Sequence, residues 1–106
     1  MSNPDRTALA DRWLDLTRRI LPAMAAEQRW PIRYDHCFMR VCLDAAMGAP
    51  WPQIVKSPAI HHMTDIQLGA AIAIAERIAT QPELLRPLNQ QSLNQRRSSN
   101  PQGRML

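Results

Sequence analysis

The chain has 106 residues, of which 45% are hydrophobic, enough for one small domain with its own core. Twelve of the thirteen basic residues are Arg, nine acidic residues leave a net charge of +4, and three Gly stand against nine Pro. No apolar run approaches the ~18 residues of a membrane span, and Gly48, Gly69 and Gly103 lie too far apart to form a Gly-rich phosphate cradle.

The first segment reads as a helix opening at Asn3, a favoured N-cap, with Pro4 and Asp5 in its first turn. Leu9, Trp13, Leu16, Ile20 and Met24 follow at spacings of four, three, four and four, a helical stripe. Arg6, Asp11, Arg12, Asp15, Arg18 and Arg19 lie largely off it and read as a solvated ion-pair face. Pro22 predicts a kink or a second short helix, and Arg29-Trp30-Pro31 ends the run.

A second helix starts at Tyr34-Asp35, with Asp35 as its N-cap. Phe38, Val41, Cys42, Ala45 and Ala46 share one face, Gly48 ends the helix and Pro50 follows. Trp51 to Val55 predicts a short helical turn with Trp51, Ile54 and Val55 inward. Thr64 and Gln67 match a capping box that opens a third helix running to Ala79. That helix is apolar nearly all round, the property of a central helix or of one burying a second face in an oligomer. Pro82 opens a last helix carrying Leu84, Leu85 and Leu88, and from about Asn94 the composition predicts a basic, mobile tail. No strand pattern and no repeat competes. The expected architecture is all-α, a compact bundle of four or five helices with Pro-rich corners, with residues 1–93 as the domain and 94–106 as the tail. Its expected core is Trp13, Leu16, Ile20, Phe38, Val41, Trp51, Ile54, Leu68, Ile72 and Ala75.

The stretch richest in chemistry contains Arg29, Trp30, Arg33, Tyr34, Asp35, His36, Cys37 and Arg40. Three readings compete with a purely structural one. Cys37 in a first helical turn, with Arg40 one turn on, is a candidate reactive thiol. An unperturbed cysteine beside the core explains it as well. His36, Cys37, His61 and His62 are metal-ligand types, but no pair has the spacing of a helical or knuckle site, so no metal is expected. Arg29, Arg33 and Arg40 beside Trp30 and Tyr34 suit an anion or, with the tail, weak sequence-independent nucleic-acid binding. The same arginines are equally suited to packing on aromatic rings and pairing with Asp35 and Asp44. The third helix, mostly Ala, Ile and Leu, offers base edges almost nothing.

Arg29-Trp30-Pro31, Asp35-His36-Cys37-Phe38, the later Pro50-Trp51 and the Leu88-Asn89…Ser92-Leu93 element resemble a small uncharacterised all-helical domain of bacteria and fungi, over roughly Arg29 to Arg96. The resemblance implies no activity. Coenzyme-A-dependent acetyl transfer is disfavoured, because the chain has neither strands nor a Gly-rich pyrophosphate loop. With no signal-like start and two Cys, the chain reads as a cytoplasmic protein with reduced thiols. The expected function is that of a small binding or accessory protein more than of an enzyme, with an enzyme or a redox or anion-binding protein centred on Arg33, His36, Cys37 and Arg40 as the alternative; no cofactor and no membrane partner are expected. Ile66 and Ile74, with Leu43 and Met47 off the core, suggest a protein partner or a homodimer.

Overall fold

Pro22 decides how the first helix runs. In the computed structural model, which describes residues 4–98, α1 (Pro4–Asp15) does not stop before this proline. It widens into one π-helical turn, Leu16–Ile20, and continues as α2 (Leu21–Gln28) with Pro22 in the first turn. A proline inside an α-helix has no N–H to donate, and its ring crowds the carbonyl four residues back. In the wide turn the Leu21 N–H donates to the Leu16 carbonyl, five residues back, which makes room for the ring. The buried Thr17 hydroxyl adds a bond to the Trp13 carbonyl at 2.9 Å. Of the two expectations for Pro22, the second short helix is what forms, entered through a local change of winding. Asn3, the expected cap of α1, lies outside the described residues.

α2 closes on Arg29, which sits in the left-handed region at φ 55°. The Trp30 N–H then reaches back to the Ala25 carbonyl at 3.0 Å, a Schellman-type end. That turn drives Trp30 into the core, edge-on to Phe38 with ring centroids 5.6 Å apart. α3 (Asp35–Met47) follows, and Gly48 ends it at φ 70°, where glycine carries no steric penalty. The N-cap of α3 is Tyr34; Asp35 is its first helical residue and accepts from the His36 N–H at 2.8 Å.

A 3-10 turn (Trp51–Gln53) and a single turn of helix, α4 (Ala59–His62), lead to α5 (Asp65–Thr80). The Thr64–Gln67 capping box forms as the spacing predicts, with both bonds present at 2.9 and 3.0 Å. A second 3-10 turn, Pro82–Leu84, leads into α6 (Leu85–Ser98). Pro87 falls in the first turn of α6, where a missing N–H costs nothing. The helix passes through residue 94, so the segment 94–98 is helical where the composition suggested a tail. Among the described residues there is no strand, and no helix is long and apolar enough to cross a membrane. The chain is an all-α bundle.

α5 is the central helix, packed on α1 and α3, while α3 also carries α6. Leu68, Ala71, Ile72, Ala75 and Ile78 form its buried side. The core departs from expectation at four residues. Ile54 is 52% exposed, because Val55, its neighbour at the end of the 3-10 turn, takes the inward place. Ile20 and Trp51 pack on the core while staying only partly buried. Leu43 is buried, since α3 is flanked by α5, α6, the π turn and the Trp51 turn, and so hides a wide arc. The Cα atoms fill a slab of 47 × 35 × 17 Å, about two helix layers thick. Even the central helix therefore keeps an outer face.

Candidate functional site

The structure disperses the chemistry-rich stretch. Trp30 is 4% exposed and offers no face to a nucleic-acid base. Arg29 and Arg33 point to solvent, and the Arg29 carbonyl accepts from Arg86 Nη2 at 2.6 Å. Tyr34 is exposed and stacks its ring on that of His36, 5.8 Å between centroids and 4° from parallel. Asp35 stands 3.7 Å from both Arg18 Nε and His36 Nδ1. Cys37 is half-buried, and the His36 ring is stacked on Tyr34 instead of on its thiol. Cys42 is fully buried, and burial pushes its thiol up to about 12. Among the described residues no three His, Cys, Asp or Glu side chains gather to hold a metal.

Arg40 leads instead to a buried polar network that ties α3 to α6. Its guanidinium donates to Ser92 Oγ and to Asn89 Oδ1, both at 2.7 Å. Ser92 donates in turn to Asp44 Oδ2 at 2.6 Å. Asp44 is fully buried and receives three further bonds: the Trp51 N–H at 2.9 Å, Arg96 Nε at 2.8 Å and Arg96 Nη2 at 3.2 Å. A buried carboxylate persists only when charge and hydrogen bonds both answer it. Here Arg96 supplies the charge, and the Trp51 amide and Ser92 hydroxyl complete the shell. By composition Arg96 belongs to the tail. The signal that composition misses is the spacing of Asn89, Ser92 and Arg96 by three and four, a polar face matching the inward Asp44.

Beside this network lies a cleft of about 310 Å³ between α1, α3 and the Ser57–Ile60 segment. Its apolar lining comes from Trp13, Leu14, Met39, Leu43, Trp51 and Ile60. Its charged and titratable lining is Arg18, His36 and Arg40. The position of Arg18 follows from the π turn, which sets this residue opposite the start of α3. Of the expected site residues, then, His36 and Arg40 meet at one cavity, while Arg29 and Arg33 do not share it. Arg18 joins them although its sequence neighbours, Asp15 and Arg19, mark it only as part of a solvated face. No family model matches the chain, and no curated protein or solved structure matches it either.

Proposed function

We propose that this is a small binding protein acting through protein–protein contacts, and that its first partner is a second copy of itself, held through the outer face of α5. What carries the reading is the shape of that face. Ile66 is 85% exposed at one end, and the line continues through the small residues Ala70, half-buried, and Ala73, exposed. At the other end Ile74, Leu84 and Leu88 line a largely apolar groove between α5 and α6, bordered by Arg77 and Gln91. The knob and the groove are eight residues apart, ~12 Å along the helix.

Two α5 helices paired antiparallel about a two-fold axis bring each Ile66 level with the groove of the other copy. Such an interface is self-complementary, and the contact is made twice. The small residues between the two ends let the helices approach closely. Leu43, first assigned to the same surface, is buried and takes no part.

The test is mass in solution by light scattering at micromolar concentration. The wild-type chain is expected as a dimer and Ile66→Glu as a monomer with an unchanged circular dichroism spectrum, since Ile66 contributes little to the core. A monomeric wild type, or a dimer that survives Ile66→Glu, overturns the proposal.

A further inference from the structure

We infer that the cleft between α1, α3 and the Ser57–Ile60 segment binds a small amphipathic carboxylate, an acid with a short aromatic or aliphatic body. The inference stands apart from self-association, because Ile66 and the α5 groove lie outside this cavity. Size sets the body. About 310 Å³ holds roughly ten water molecules at ~30 Å³ each, and so a ligand of about as many heavy atoms. The lining sets its character: Leu14, Met39, Trp51 and Ile60, each only partly buried, give apolar surface to a ring or chain over the buried Trp13 and Leu43.

Charge sets the head group. Two guanidinium groups and one imidazole line the cleft, and no carboxylate does. Among the described residues no acid lies within 4 Å of Arg40, and the side chains it donates to, Ser92 and Asn89, are neutral. The nearby Asp44 is already matched by Arg96. Arg40 is therefore held in position with its charge uncancelled. The other acid close to the cationic lining, Asp35, touches Arg18 only at 3.7 Å, so an incoming carboxylate competes with a weak pair. Arginine forks meet a carboxylate through two parallel N–H bonds, and the surrounding apolar lining strengthens that contact by excluding water.

The cleft carries its own reporter. Trp13 and Trp51 line it, and the third tryptophan, Trp30, packs on Phe38 elsewhere. Titration of the full chain with sodium octanoate, followed by tryptophan fluorescence, is expected to give a saturable change. Octan-1-ol, of equal length and no charge, should bind at least tenfold more weakly. Arg18→Gln should weaken octanoate about tenfold, and Arg40→Gln at least as much, while Arg33→Gln leaves it unchanged. Arg18 is mostly exposed, so its variant keeps the test valid even if Arg40→Gln perturbs the fold. No saturable change overturns the inference. So does equal affinity for octanoate and octan-1-ol, an unaffected Arg18→Gln, or displacement of octanoate by inorganic phosphate at comparable concentration.

Discussion

Replacing Asp44 by Ala removes the acceptor that four donors share, and the structure gives the size of the effect. The carboxylate is fully buried and bonded by Ser92, the Trp51 amide and two nitrogens of Arg96. Truncation leaves the half-buried Trp51 amide and the buried Ser92 hydroxyl without their acceptor and strands a guanidinium that is only 35% exposed. Breaking a buried pair from one side costs about 3–5 kcal/mol, a large part of the about 5–15 kcal/mol expected for a whole domain. The thermal midpoint should fall by about 20 °C at about 4–8 °C per kcal/mol. Arg96→Ala should cost less, about 2–3 kcal/mol, because Arg96 is partly solvated and Asp44 keeps its bonds from Ser92 and Trp51. The double variant should cost clearly less than the sum, since each single change already breaks the same pair. Urea unfolding followed by circular dichroism at 222 nm measures all three. A cost for Asp44→Ala below about 1 kcal/mol, or strict additivity with Arg96→Ala, would refute the network and with it the docking of the last two turns of α6.

Two further outcomes follow from burial and from backbone space. The Cys42 thiol is raised from 9.0 to about 12 by burial, so the folded protein keeps a proton there that the unfolded chain gives up. Its contribution to stability is complete below about pH 9 and declines as pH rises toward 12. Cys42→Ala should remove that part of the alkaline decline in urea midpoint, and iodoacetamide at neutral pH should leave Cys42 unmodified until the protein unfolds; labelling at the denatured rate would contradict its placement. Gly69 lies inside α5 with no heavy atom within 4 Å of where a Cβ would stand. Gly69→Ala, made in the Ile66→Glu background, should raise stability by about 1 kcal/mol through helix propensity alone, and a loss of stability there would show that the site is crowded.

The helices were legible in the sequence because their signals are local. The capping box at Thr64 and the Gly48 stop each act within one turn, and the apolar stripe from Leu9 to Met24 is built from steps of three and four residues. What was not legible depends on partners distant in the chain. Trp30 looks like a member of a basic, aromatic surface cluster until the Arg29 turn and Phe38 place it in the core. Arg96 looks like tail composition until Asp44, 52 residues away, is seen to need a charge.

The arginine excess shows the same division. Arg6 and Arg12 do not merely decorate α1: they reach across to Asp65 and Glu76 of α5, each at 2.9 Å. Arg19 pairs with Asp15 along its own helix, and Arg96 closes the network at Asp44. The pairs made by Arg6, Arg12 and Arg19 are solvent-screened and add little to stability, so the value of the first two lies in setting how α1 lies on α5. Arg6 also donates to the Ile60 carbonyl at 2.8 Å, which anchors the segment that walls the cleft. Once these arginines are assigned to acids and carbonyls, net charge says little about function. The informative residue is Arg40, held rigidly by neutral partners beside an apolar cavity. The cost of keeping a half-buried cation there without an acid is best accounted for by an anion that arrives from outside the chain.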